Sequence, residues 1–252
     1  MILEPSLSAH ADWPHLSKAP IVEGLIDIRV ERSTDVTVEL LKKAGDELAS
    51  EFPSRQERQM WMGQIRLTPD AAASISTSSG GPDGVILQST DKKMVAQFQI
   101  DGFTLSRLHP YTSWDDLRSK ASELWNKYQA VAHPSKIVRI ATRYINRIPL
   151  PAGESFEKTF STTFSVSPEL PQGVAGFLLR VVIPFEQEGV TAIVTQSLEG
   201  SGSECLFDID AFVGKPDGFS PDELWETLES LRAIKNRLFF GSLTANALEG
   251  FK

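Results

Sequence analysis

Ile137–Leu150 reads IVRIATRYINRIPL, in which β-branched residues alternate with polar ones at the period of a half-buried strand. Arg139, Arg143 and Arg147 recur at intervals of four and so share one face, leaving Val138, Ile140, Tyr144 and Ile148 on the other. A second stretch, Ile21–Glu31 (IVEGLIDIRVE), has the same period. There Val22, Ile26, Ile28 and Val30 lie on one side, and Glu23, Leu25, Asp27, Arg29 and Glu31 on the other. A shift of 116 residues sets Glu23, Asp27 and Glu31 against Arg139, Arg143 and Arg147, acid against base each time. If these strands lie side by side, a ladder of ion pairs joins two halves of the chain.

Other segments recur at a similar distance. VILQS (Val85–Ser89) returns as AIVTQS (Ala192–Ser197), FQID (Phe98–Asp101) as FDID (Phe207–Asp210), and SWDDL (Ser113–Leu117) as SPDEL (Ser220–Leu224), at offsets of 107 to 109. Near-constant spacing is the mark of a duplicated unit. The expected architecture is therefore α+β with a pseudo-twofold internal duplication. It comprises an irregular lead-in over residues 1–19, a first sheet-plus-helix repeat over 20–134 and a second over 135–252, both mainly antiparallel.

Helix signals punctuate both repeats. Ser33, Thr34 and Asp35 offer a cap before Val36, Leu40, Ala44 and Leu48, and Pro53 stops that helix. Ser113 caps a second helix carrying Leu117, Ala121, Leu124, Tyr128 and Val131 on one face. Ser220, with Pro221 at the first position and Glu223 three residues on, opens a closing helix whose apolar face is Leu224, Leu228, Leu231 and Leu238. Strands are expected over 60–67, 73–77, 85–89, 94–105, 177–185, 191–197 and 204–213. The small-residue stretch Ser78–Gly84 reads as a turn, because it lacks the Lys and Ser/Thr of a phosphate-cradling loop.

The chain has 252 residues, 41% apolar and 23% charged, which is an ordinary globular composition. No apolar run approaches the roughly 20 residues that span a bilayer. The first twenty residues carry Glu4 and Asp12 and no continuous apolar core, so no signal peptide is expected. A lone cysteine, Cys205, excludes an internal disulfide and makes the cytoplasm the expected compartment. Net charge is −8, divided evenly: 14 basic against 18 acidic residues up to Pro134, and 11 against 15 after it. Such a field opposes nucleic acid and anionic membranes.

Three further segments carry a resemblance. APIVE (Ala19–Glu23), RIATRYINR (Arg139–Arg147) and NRLFFGSLT (Asn236–Thr244) resemble the landmarks of a sporadically distributed, uncharacterised bacterial protein family of about this length. The resemblance covers essentially the whole chain. It implies the extent of the domain and brings no activity, cofactor or catalytic residue with it.

The arginine strand is the most distinctive polar feature. Its preferred reading is structural, an ion-pair ladder of Glu23, Asp27 and Glu31 with Arg139, Arg143 and Arg147, since buried guanidinium needs a partner. The alternative makes Arg139, Arg143 and Arg147 the floor of a site for a phosphate or carboxylate. Asn146 is expected to bond backbone. His10, His15, His109 and His133 show no metal-ligand spacing, and no metal or cofactor is expected. Cys205 lacks an assigned base and reads as a small buried residue. Ser201 and Ser203 fall in a loop without the context of a hydrolase elbow. Asp101 and Asp210 are symmetry candidates for a shared carboxylate site but lack its turn, and strand-end aspartates commonly cap turns. Trp61, Phe98, Phe103, Phe207 and Phe212 suit a sheet core, or else a stacking platform for bases. The reading is thus a non-enzymatic binding or interaction protein, using a groove at the repeat junction for a protein partner or an anionic small ligand. Its alternatives are a nucleic-acid binder on the sheet face and an enzyme of unrecognised type, built on Arg143 with Asp101 and Asp210.

Overall fold

Backbone hydrogen bonding between the two alternating stretches organises the molecule. The structure, a computed structural model that describes residues 13–68, 71–150, 155–198, 203–220 and 222–252, pairs β1 (Ile21–Val30) antiparallel with β6 (Ile137–Pro149) at the middle of one nine-stranded antiparallel sheet. On the β1 side lie β5 (Gly102–Leu108), β4 (Met94–Gln99), β3 (Ala71–Gln88) and β2 (Ser54–Thr68); on the β6 side lie β9 (Glu204–Phe219), β8 (Val190–Leu198) and β7 (Phe177–Phe185). The strands of both halves therefore share one sheet.

Apolar residues at period two on each strand form a face that the helices cover. Ile26, Ile28, Phe98, Phe103, Ile140, Tyr144, Phe207 and Ile209 are all buried there. Helix α1 (Val38–Glu47) packs on β3, α2 (Trp114–Ala132) on β5 and β1, and α3 (Glu223–Ser242) on β6 and β9. A short α4 (Ala245–Glu249) and a 3-10 turn at Phe156–Lys158 complete the fold, and an isolated bridge joins Phe160 to Leu243. Among the described residues, no helix is long and apolar enough to cross a membrane.

Caps fix the helix starts. Ser113 Oγ accepts from the N–H of Asp116 at 3.1 Å, as its spacing predicts. At α3 the Ser220 N–H donates to Glu223 Oε2 at 2.7 Å, half of a capping box, while Pro221 lies outside the described residues. The expected cap of α1 at Ser33–Asp35 is corrected. Thr37, in extended backbone, accepts from the N–H of Leu40 at 3.3 Å, so α1 begins at Val38.

Three sequence expectations change for local reasons. Met94–Gln99 and Gly102–Leu108 are two strands, because Ile100 donates its N–H to Asp83 and the chain reverses at Ile100 and Asp101. Residues 78–84 are not a turn but part of β3. Small residues there accommodate register shifts against β2 at Arg58/Gln59 and Met60/Trp61, and Gly81 takes φ +83°. Finally, the landmarks at offsets of 108 and 109 fall on non-matching strands, while the one at 107 lies at the starts of α2 and α3. Phe98 lies on β4, one strand removed from β1's neighbour, whereas Phe207 lies on β9, bonded directly to β6; Gln88 on β3 and Gln196 on β8 are displaced likewise. Alternating β-branched runs suit any strand with the same buried face, so short matches carry across neighbouring strands.

Gly84 marks a close strand contact. A Cβ placed there would stand 2.3 Å from the Phe98 carbonyl oxygen, a backbone atom with no rotamer to change. Gly84→Ala is expected to destabilise the protein by about 1–3 kcal/mol, the usual cost of overpacking. Urea unfolding checks this, and an unchanged midpoint contradicts it.

Candidate functional site

On the face of the sheet away from the helices, the sequence-predicted charges meet in a different pattern from the expected ladder. Because β1 and β6 run antiparallel, Asp27 lies opposite Ala141, Leu25 opposite Arg143 and Arg29 opposite Arg139. Asp27 sits diagonally between two arginines. It takes Arg139, whose Nη1 donates to Oδ1 at 2.9 Å, and Arg29, which donates to both carboxylate oxygens at 3.1 and 2.8 Å. Thr104 Oγ1 adds a bond at 2.8 Å. Arg143 turns to the other neighbour, β9, and grips Asp208 through two bonds of 2.8 and 2.6 Å.

The expected Asp27–Arg143 pair is therefore absent. Glu31 pairs with Lys136, Arg147 is exposed, and neither Arg147 nor Glu23 makes an ion pair among the described residues. Arg139 also meets Asp210 at 3.4 Å and lies over the ring of Phe212. Desolvation raises the Asp210 carboxyl above its ordinary value, against the pull of Arg139 and Arg143. Asp101 stands apart in the β4–β5 turn, bonded to Arg29 at 3.3 Å, so Asp101 and Asp210 do not form a shared acid site.

Phe98, Phe103 and Phe207 point into the helix-covered core, and the side chain of Trp61 lies outside the described residues. Cys205 is buried, and desolvation pushes its thiol up to about 11. Among the described residues, no group of His, Cys, Asp or Glu is placed to hold a metal ion. His10, Ser201 and the rest of 1–12 and 199–202 lie outside the described residues.

On the opposite, helix-covered face, the same seam opens into a cavity of about 570 Å³. Its floor is the start of β1 and the far end of β6; its walls are the first turn of α2, the middle of α3 and the segment from Trp13 to Pro20. Gly24 makes the floor possible. A side chain there would collide with the rings of Tyr111 and Tyr144, which cross edge to face and join their hydroxyls at 2.9 Å. Burial raises both phenols, Tyr111 to about 12, so they stay protonated donors. Asn146 gives its amide hydrogens to the carbonyls of Tyr144 and Phe207, as the expected backbone role requires. Its Oδ1 is buried with no partner among the described residues.

Lys235 dominates the electrostatics of the cavity. Its Nζ lies 4.0 Å from the centroid of the Tyr144 ring and donates to the neutral Asn236 Oδ1 at 2.6 Å. Among the described residues, no carboxylate pairs with it. Arg232, one turn earlier on α3, lines the same cavity. Desolvation, with added repulsion from Arg232, pushes the Lys235 ammonium down to about 7. Among the described residues, Asp115 is the acidic residue of the lining, and it stands exposed at the rim.

Tyr111, Arg232 and Lys235 were not singled out by the sequence reading. Their available signal was the pairing of Arg232 with Lys235 at helical spacing beside the apolar stripe of α3. The three segments that carry the family resemblance supply much of the wall: Pro20 and Ile21, Tyr144 and Asn146, and Asn236 with Phe239 and Phe240. Comparison with family models and with curated proteins gives no match for this chain.

Two outcomes test this geometry. In a double-mutant cycle, Asp27→Asn with Arg139→Met is expected to couple by about 1–2 kcal/mol, as contacting residues do, and Asp27→Asn with Arg143→Met by less. Equal couplings would contradict the observed partners. Lys235 governs a pH effect. Its folded-state value lies below the ordinary 10.5, so between about 7 and 10.5 the unfolded chain binds the extra proton and wild-type stability rises with pH. Lys235→Met removes that slope. Its melting temperature is expected to exceed that of wild type at pH 6, with the gap narrowing by pH 9.5; a constant gap is the contrary result.

Proposed function

We propose that the protein is a binding protein that holds a small anionic ligand in the cavity between α2 and α3. The observation that carries this reading is Lys235, beside Arg232 and without a carboxylate partner among the described residues. Two cations line the half-open cavity: Arg232 is part-exposed and meets Glu229 at 3.4 Å, while Lys235 has a neutral amide oxygen and an aromatic face as its neighbours. Desolvated charge of one sign is costly unless an opposite charge arrives, and a ligand carboxylate or phosphate supplies it. The open sheet face supports the same choice by contrast. There Arg29, Arg139 and Arg143 each have a carboxylate partner, as Arg232 has in Glu229, and Lys235 has none among the described residues.

The same reading takes the chain as two related halves whose junction makes the cavity. Outward from the β1–β6 seam the sheet runs β5, β4, β3 on one side and β9, β8, β7 on the other, and a long helix follows the innermost of these strands in each half. This symmetry of order supports a duplication with β4 matched to β8 and β5 to β9. The segments resembling an uncharacterised bacterial family meet at the junction, which supports the cavity as the shared feature of such proteins.

Thermal melts with benzoate, propionate and inorganic phosphate test the proposal, since a ligand bound by the folded state alone raises the melting temperature with its concentration. At least one of these anions is expected to stabilise the wild-type chain at neutral pH, and to lose that effect in Lys235→Met and Arg232→Met. Shifts of the same size in the variants, or in sodium chloride of equal ionic strength, would place the effect elsewhere and overturn the assignment.

A further inference from the structure

We propose that Lys235 captures the carbonyl carbon of a 2-oxo acid as an imine, with Arg232 holding the neighbouring carboxylate. The inference rests on the cavity being the anion site and assigns the chemistry of its occupant. A structural lysine is ordinarily anchored by a carboxylate, and Lys235 has none among the described residues; it instead lines a half-open cavity together with hydrogen-bonding groups. Lysines that are desolvated and set beside another cation are the ones that keep a free electron pair near neutral pH and attack carbonyls.

The arrangement fits two functional groups on adjacent carbons. Arg232 and Lys235 stand one turn apart on α3, so a guanidinium that gives one long Nη1 bond of 3.4 Å to Glu229 and has further N–H groups for a planar carboxylate neighbours an amine suited to the next carbon. The phenols of Tyr111 and Tyr144 share one hydrogen bond, which uses one of their two hydrogens and leaves the other to donate to a ligand oxygen. Asn146 Oδ1, buried and without a partner among the described residues, offers an acceptor in the same lining.

The step balances without an oxidant or reductant. The Lys235 electron pair forms the C–N bond while the C=O π pair moves to oxygen, which takes a proton. The resulting carbinolamine loses that oxygen as water, and nitrogen supplies the electrons of the C=N bond. Neutral amine, ketone and one proton from solvent give a protonated imine and water. Hydrolysis reverses the sequence, so the capture is reversible binding.

Borohydride trapping on the full chain tests it, with pyruvate as the probe. Intact-mass analysis is expected to show one reduced pyruvate per chain, and peptide mapping to place it on Lys235, with no adduct when borohydride is omitted. The labelling rate should rise through pH 7 and then level off, unlike that of surface lysines, which keep gaining to higher pH. Arg232→Met should lower the rate at least tenfold at low pyruvate, and propionate, which has the carboxylate without the ketone, should compete. Mapping on the wild-type chain reads the site without relying on a variant that must fold. Adducts scattered over many lysines overturn the proposal. If Lys235 stays unlabelled while propionate still stabilises the protein through Lys235, the imine fails and anion binding stands; if neither compound acts, both readings fall.

Discussion

Antiparallel pairing of β1 with β6 is the constraint from which the rest of the architecture follows. The two strands are more than a hundred residues apart, and their ladder brings β5 to one flank and β9 to the other. It also sets α2 and α3 side by side, where Trp114 donates to Glu229 and Arg118 lies over Trp225. Register here has no slack. A one-residue slip would carry Ile26, Ile28, Ile140 and Tyr144 out of the core and put Asp27 and Arg139 into it. The Asp27 carboxylate, shared by Arg29, Arg139 and Thr104, adds a polar lock that only the native register satisfies.

Periodicity made the elements legible, while their neighbours were not. The alternation of Ile21–Val30 and of Ile137–Pro149, the Ser113 cap and the Leu224–Leu238 stripe all reappear as structure. The charge ladder failed for a geometric reason. A constant difference of 116 describes superposed repeats, but residues opposite each other on antiparallel strands share a constant sum; Leu25 with Arg143, Asp27 with Ala141 and Arg29 with Arg139 obey it. Asp27 thereby falls between Arg139 and Arg143, and the choice depends on what lies beyond β6. Asp208 on β9 takes Arg143 by a two-pronged bond, and Asp27 is left with Arg139. That competition involves a third strand, which strand periodicity does not name. The cavity was hidden for a related reason: Gly24, Tyr111, Tyr144 and Lys235 come from four elements, and their significance lies in their convergence.

Charge is used in opposite ways on the two sides of the seam. Towards the open face every guanidinium of the central strands that is half-buried meets a carboxylate, and the cation of Arg139 also rests on Phe212. Under the helices, Lys235 faces Tyr144 and Asn236, next to Arg232 and without a countercharge among the described residues. The ring face and the amide oxygen favour the ammonium, desolvation and Arg232 oppose it, and opposition wins. A sequence free to optimise stability alone has a simple remedy, since Met or Leu at position 235 would fill the space without a charge.

Retention of a costly group is itself informative when the surroundings have gone to some trouble to accommodate it. Glycine at position 24 clears the floor, two tyrosines rather than phenylalanines cross above it, and Asn146 keeps a buried oxygen without a partner among the described residues while its nitrogen ties two strands. The tyrosines and Asn146 place polar capacity in the core layer, and all three line the same cavity. Local rules broken together at one place are the pattern of a site shaped for something other than stability. The open sheet face breaks no such rule, because its charges neutralise one another. Charge on the arginines of β6 thus holds strands in register, whereas on the other side of the seam the lysine of α3 has no carboxylate partner among the described residues.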